Sequence, residues 1–208
     1  MRALITGVAG FIGSTLGEKL VSLGHDVVGV DCFTDYYARQ RKEKNLAALR
    51  SASSQKQAKF SFVEADIVNT DLAKLLEGID VVFHQAAQAG VRASWGTTFE
   101  SYVHHNVLGT QMLLEAAKKA RHVKRVVYAS SSSIYGDTDD LPMREHSLPK
   151  PYSPYGVTKL AAENLCELYR NNFGVSTVSL RYFTVYGPRQ RPDMAFNKFI
   201  RNLLAGEA

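Results

Sequence analysis

The chain has 208 residues, 45% of them hydrophobic and 22% charged, with a formal net charge of +5; this mixture suits a globular protein that can bury a sizeable core, and its length suits one large domain rather than two. Two cysteines, Cys32 and Cys166, follow no metal or redox spacing and are too few for a disulfide framework. No apolar stretch approaches the roughly 20 residues of a membrane span and no apolar signal region opens the chain, so the expectation is a cytoplasmic protein with no membrane partner.

The apolar run Ala3-Leu4-Ile5 leads directly into Thr6-Gly7-Val8-Ala9-Gly10-Phe11-Ile12-Gly13, which predicts a strand turning sharply into a helix. At such a turn Gly7 permits a tight backbone, Gly10 lets an anion approach the helix N-terminus unobstructed, and Gly13 allows close helix-on-strand packing. A second strand, Asp26-Val27-Val28-Gly29-Val30, ends in Asp31, about 18 residues beyond Gly13 and where a carboxylate would accept the hydroxyls of a ribose diol. The pairing predicts a bound dinucleotide, with NAD favoured over NADP because Asp31 repels a 2′-phosphate. Asp31 alone also reads as a solvated loop acid.

Further along, Arg39-Gln40-Arg41-Lys42 opens a helix that runs to Arg50, and Ser51-Ala52-Ser53-Ser54-Gln55-Lys56-Gln57 reads as a polar loop. Short apolar runs at Phe60–Val63, Val81–Phe83, Val126–Ala129 and Thr177–Leu180 look like strands buried on both faces. Between them Thr98–Ala120 carries Phe99, Tyr102, Val103, Val107, Leu113, Leu114 and Ala117 at helical spacing. Asn106 interrupts that stripe and reads as a group satisfying buried backbone, with cofactor contact the second reading. The basic run Lys118–Arg125 covers the helix C-terminus, where cations complement the dipole. Neither basic run is interleaved with aromatic residues, so no nucleic-acid partner is expected. A second long helix starts at Ser153-Pro154, with Ser153 as N-cap, and reaches about Phe173. After the loop Tyr186-Gly187-Pro188-Arg189 comes one more helical pattern, Ala195–Leu204. Strands alternating with helices predict an α/β fold with a doubly wound parallel sheet of about six strands, a Rossmann arrangement whose ligand lies outside the strands' carboxyl ends.

Tyr155 and Lys159 are four residues apart on one helix and share a face. A tyrosine of pKa about 10 must drop about three units, roughly 4 kcal/mol, to act as a base near neutrality, and a neighbouring ammonium together with an oxidised nicotinamide would supply that. An ordinary amphipathic helix face has the same spacing. Ser131, in Ala129-Ser130-Ser131-Ser132-Ser133-Ile134-Tyr135-Gly136, falls at the end of the fifth strand, where its hydroxyl would share a substrate proton with Tyr155; a plain serine-rich turn is the other reading. His84, His104, His105 and His122 form no liganding set by spacing, and no metal is expected. Trp95 lines the pocket or anchors its loop.

Gly7-x-x-Gly10-x-x-Gly13, the Ser131/Tyr155/Lys159 set and Arg181-Tyr182-Phe183-Thr184-Val185-Tyr186-Gly187-Pro188 together resemble an extended short-chain dehydrogenase/reductase of the nucleotide-sugar epimerase/dehydratase family, over the whole chain. The resemblance implies NAD held by Gly7, Gly10, Phe11, Ile12, Gly13 and Asp31, by Asp66 and Ile67 near the adenine, by Gln85, Ala86 and Ala87 behind the fourth strand, and by Tyr155, Lys159 and Phe183 near the nicotinamide. It implies a nucleotide-binding domain over 1–182 carrying the catalytic Ser131, Tyr155 and Lys159, and over 183–208 the start of a substrate-binding portion that is largely absent. It also implies a homodimer through helices 98–120 and 153–173.

Enzymes of this family oxidise a sugar C4 hydroxyl and differ in the fate of the 4-keto intermediate. The 4,6-dehydratases carry an Asp-Glu pair, and the decarboxylases a glutamate, where this chain has Ser132 and Ser133; neither serine is an acid or base of the needed strength, which leaves 4-epimerisation of a UDP-sugar. Ala86-Ala87-Gln88-Ala89-Gly90-Val91-Arg92-Ala93-Ser94 and Arg191-Pro192-Asp193-Met194-Ala195 look most like UDP-glucuronate 4-epimerases. Hexose epimerases usually carry Asn at the position of Thr184. A hydroxyl there, with Ser132 and Ser133 opposite, suits a C6 carboxylate, with Arg92 or Arg191 adding charge; UDP-glucose stays open as the sugar, and an NAD-binding module without catalysis, or another nucleotide-sugar enzyme such as a decarboxylase or 4,6-dehydratase, stays open as the alternative.

Overall fold

The computed structural model describes residues 1–207. Six strands, β1 (Arg2–Thr6), β2 (Asp26–Asp31), β3 (Phe60–Glu64), β4 (Val81–His84), β5 (Arg125–Ser131) and β6 (Thr177–Tyr182), form one sheet in the order β3-β2-β1-β4-β5-β6, and every pairing is parallel. Side chains alternate across a strand, so β1 divides its residues between two cores. Ala3 and Ile5 pack with Leu20, Val21, Leu46 and Leu49 under α1 (Phe11–Ser22) and α2 (Arg39–Ser54). Leu4 faces the other way and joins Val82, Val126, Leu113, Leu114, Ala162 and Cys166 beneath α5 (Gly109–Lys119) and α6 (Pro154–Phe173). The doubly wound sheet anticipated from the sequence is therefore present.

Helix ends follow their local chemistry. Ser153 Oγ caps α6 by accepting the Gly156 N–H at 3.1 Å, Pro154 follows it, and Gly174 closes the helix in the left-handed region at φ 70°. Two shorter helices, α3 (Leu72–Leu75) and α4 (Phe99–Tyr102), and a last one, α7 (Ala195–Ala205), complete the set. No helix among the described residues is long and apolar enough to cross a membrane.

Three sequence expectations change. The helix read over Thr98–Ala120 is not uniform: α4 and α5 are joined by a π turn, Val103–Leu108. Asn106 sits in that turn, buried, accepting the Gln88 N–H at 2.8 Å and donating to the Gln88 carbonyl and to Thr158 Oγ1, each at 3.0 Å. Satisfying a buried loop in this way outweighs the regular i→i−4 ladder. Second, α2 continues to Ser54 and absorbs the first half of the stretch read as a loop. Third, β3 and β6 are edge strands and only partly buried, because an edge strand lacks a neighbour on one side.

Candidate active site

The turn between β1 and α1 has the close approaches that its glycines allow. Gly7 has φ 68°, and a Cβ there would lie 2.8 Å from the Ala86 backbone; a Cβ on Gly13 would meet the Gly7 carbonyl oxygen at 2.2 Å. Gly10 is the N-cap of α1. The Asp31 carboxylate is fixed beside this turn, its two oxygens accepting the Ala9 and Phe33 amides at 3.0 and 2.9 Å. Burial pushes its pKa up, and those amides and Lys42 oppose the rise without cancelling it.

From this turn a cleft of about 840 Å³ runs along the carboxyl ends of the strands. Its lining includes every residue that the sequence reading assigned to catalysis, cofactor or substrate: Gly7, Gly10, Phe11, Ile12 and Gly13; Asp31, Asp66 and Ile67; Gln85, Ala86 and Ala87; Arg92; Ser131, Ser132 and Ser133; Tyr155 and Lys159; Phe183, Thr184 and Arg191. Tyr36, Tyr37, Lys42, His105 and Asp193 line it too, without having been expected. Lys42 had been read only as part of a basic run that opens a helix; it is buried, with Nζ 2.6 Å from the Thr34 carbonyl. Trp95 is exposed and away from the cleft lining. The Arg191 guanidinium is bound to Asp193 at 3.1 Å and stacked over the Tyr36 ring, 5.0 Å from its centroid, so its charge is already matched.

At the β5 end, Ser131 Oγ accepts the Ser133 N–H at 3.1 Å. Burial raises the Tyr155 phenol, and the adjacent Ser131 hydroxyl pulls it down only in part. Burial likewise lowers Lys159, to about 7, against the pull of Cys166 and Glu163, and its ammonium lies 4.4 Å from the centroid of the Tyr128 ring. The protein by itself therefore keeps Tyr155 protonated, because desolvation outweighs the nearby polar groups; the phenolate read from the Tyr–Lys spacing called for an oxidised nicotinamide as well.

Glu163, one turn beyond Lys159, anchors this end. Its carboxylate takes the Ser130 hydroxyl at 2.5 Å and the Arg181 guanidinium at 2.7 Å, and Arg181 also donates to Tyr135 Oη at 2.9 Å. Ser130 and Arg181 are paired across β5 and β6, so a single ion pair ties α6 to both strands that lead into the cleft. Nothing in the local sequence marks Glu163; only its i+4 relation to Lys159 hints at a shared face.

The profile of the NAD-dependent epimerase/dehydratase family matches residues 3–208. The chain belongs to that family. Within it, an uncharacterised UDP-glucose epimerase of Bacillus subtilis is 47% identical over 205 residues, which are 98% of this chain and 63% of the relative. UDP-glucuronate 4-epimerase 2 of Arabidopsis thaliana is 41% identical over 212 residues, covering all of this chain and 47% of the relative. Among solved structures, UDP-glucuronic acid 4-epimerase from Bacillus cereus in complex with UDP-glucuronic acid and NAD superposes with a TM-score of 0.91 at 47% identity, covering all of this chain and 64% of that one. The chain thus spans less than two thirds of the length of these family members.

The four histidines weighed as ligands divide into two groups. His84 is buried between Thr6 Oγ1 at 2.7 Å and Thr110 Oγ1 at 2.9 Å, and His122 Nε2 donates to the Leu76 carbonyl at 2.8 Å. His104 and His105, by contrast, both lie beside Asp66, which with His105 lines the cleft; the spacing of the histidines in sequence does not show this grouping. Burial raises the Asp66 carboxyl, but the Val68 amide and His104 outweigh it and hold it below the usual range.

The burial of His84 carries a pH prediction. Desolvation, with Lys159 adding to it, lowers its pKa from 6.5 to about 3, so the folded protein keeps the ring neutral while the unfolded chain takes up a proton below about 6.5. The stability contributed by the neutral ring is complete above that value and is lost as pH falls toward 3. Urea midpoints measured across this window should fall less steeply for His84→Gln than for the unmodified chain; parallel slopes would refute the assignment.

Proposed function

We propose that this chain is the NAD-binding and catalytic part of a UDP-sugar 4-epimerase, with UDP-glucuronate as its sugar nucleotide. The observation that carries the reading is the convergence in one cleft of the glycine turn and Asp31 at one end and Ser131, Tyr155, Lys159 and Thr184 at the other. The residues fit the cofactor. A side chain on Gly7 or Gly13 would fill the turn, the Asp31 oxygens each keep an acceptor position beyond their amide bond, and the buried Gln85 Nε2 in the cleft lining has no hydrogen-bond partner. Bound there, NAD would supply a reversible acceptor for the hydrogen at the sugar C4.

The chain's own groups would handle the proton. Tyr155 accepts it from the C4 hydroxyl, Ser131 shares or relays it, and Lys159 holds Tyr155 ionised and orients the nicotinamide ribose. Burial opposes that ionisation in the protein alone, so in this reading the ionised base forms only with cofactor and substrate in place. The 4-keto sugar then turns its other face toward the cofactor. A 4-keto uronic acid is a β-keto acid and loses carbon dioxide when its carboxylate leaves the plane of the ring; Thr184, Ser132 and Ser133 are assigned to hold that carboxylate, with Arg92 supplying charge. Arg191 is the weaker candidate because Asp193 already neutralises it.

Residues 1–182 form the nucleotide-binding domain in this reading, and 183–208 begin the substrate-binding portion. A cytoplasmic location suits the two free cysteines. The segments 98–120 and 153–173 are assigned to a homodimer interface of four helices, since Phe99, Val103, Leu108, Val157, Leu168 and Phe173 expose apolar surface along them.

Three measurements test the proposal. Calorimetry should show NAD binding in preference to NADP, and Asp31→Ala should weaken that preference; equal or tighter NADP binding would reject the cofactor assignment. In a polypeptide carrying this chain together with the remaining length of its relatives, Tyr155→Phe should slow C4 epimerisation by roughly 10²–10⁴ with little loss of NAD binding, and Thr184→Val should raise the pentose by-product relative to the epimer. Proton NMR of the products decides both: an unchanged ratio removes Thr184 from the carboxylate, and conversion of UDP-glucose alone moves the assignment to a hexose epimerase. Light scattering should report a dimer, and a monomer at high concentration would dismiss the interface.

A further inference from the structure

At the β3 end of the cleft, Asp66, His104 and His105 come together from two elements. Asp66 follows β3, and the histidines are consecutive in the π turn. One ligand atom from each residue lies within 4.8 Å of the other two. His104 Nε2 is 2.8 Å from Asp66 Oδ2, and the two imidazole rings meet edge to face with centroids 4.8 Å apart. Successive side chains diverge less around a π turn than around a regular helix, and this brings both rings toward one carboxylate. The second Asp66 oxygen, Oδ1, accepts the Val68 N–H at 3.0 Å, which orients the carboxylate in the way an outer-shell partner orients a metal ligand.

Two imidazoles and a carboxylate are the donor set of an open zinc site. With bonds of about 2.0–2.2 Å, a tetrahedral zinc ion holds its ligand atoms about 3.3–3.6 Å apart. The spacing found here brackets that distance: the hydrogen-bonded pair opens slightly when the metal replaces its proton, and the wider separation closes by side-chain rotation. We propose that Asp66, His104 and His105 form a binding site for a divalent transition metal, zinc above all, at the mouth of the cleft. Nitrogen donors select zinc against magnesium. Because Asp66 and His105 also line the cleft, a metal on them and the adenine of a dinucleotide exclude each other; this second half rests on the function proposed above.

Calorimetry of the chain with zinc chloride alone should show one site per chain. His104→Ala and His105→Gln should each weaken it by about tenfold or more, whereas Cys32→Ser, which removes the thiol of the cleft, should leave it unchanged, and magnesium should not bind. Saturating NAD should reduce the apparent zinc affinity. Absence of zinc binding, binding untouched by both histidine substitutions, or binding lost in Cys32→Ser would overturn the site. Simultaneous binding of zinc and NAD would overturn the exclusion. NAD titrated without metal is a separate readout: its failure to bind counts against the proposed function and leaves the metal site standing.

Discussion

The reversal of strand order beside β1 is the constraint on which the rest depends. The chain leaves β1 toward β2 and β3 and must then cross to β4 on the other side, so the connections after β1 and β4 run apart and leave a crevice outside their carboxyl ends. The two turns meet at its base, where Gly7 and the Ala86 backbone leave no room for a side chain. Thr6 joins them: its hydroxyl contacts His84 Nδ1 at 2.7 Å and accepts the Ala86 N–H at 3.1 Å. The small residues of the glycine motif are therefore required twice, once by the turn itself and once by the neighbouring strand's exit.

Desolvation dominates at several groups in and beneath that crevice, Asp66 being the exception. Asp31, Tyr155, Lys159 and His84 are each pushed toward their neutral forms by burial. A cleft built in this way responds to what enters it, since a charged ligand changes the balance that the protein leaves near neutrality. The contrast is Glu163 with Arg181, where the guanidinium donates twice to one carboxylate oxygen and the Ser130 hydroxyl donates to the other. Such a pair contributes geometry more than stability. Here the geometry is the docking of α6, which carries Tyr155 and Lys159, against β5 and β6, which lead to Ser131 and Phe183.

Much of this was legible because it is written in local terms. The six apolar runs, the Ser153-Pro154 start of α6 and the glycine triplet each depend on neighbours close in the chain, and each stands where the sequence puts it. Less legible were features whose partners are distant in sequence. The π turn exists because Asn106 must satisfy Gln88 and Thr158, and the burial of Lys42 depends on a carbonyl eight residues earlier in a loop of irregular shape. The charge of Arg191 reads as free in sequence, and its neutralisation by Asp193 together with the Tyr36 ring emerges only from the loop geometry.

Periodicity, turn chemistry and motif spacing by themselves determined the class of sheet, the position of the glycine turn and the placing of Asp31, Ser131, Tyr155 and Lys159 at the strands' carboxyl ends, because these follow from strand and helix periods and from where parallel strands end; Asp66, Gln85 and Phe183 were legible only through the family resemblance. Only the tertiary structure decided which of those residues keep a charge, which are already paired, and that two adjacent histidines reach a carboxylate on another element. Those outcomes depend on burial and on contacts across tens of residues, and neither quantity has a local signature in the chain.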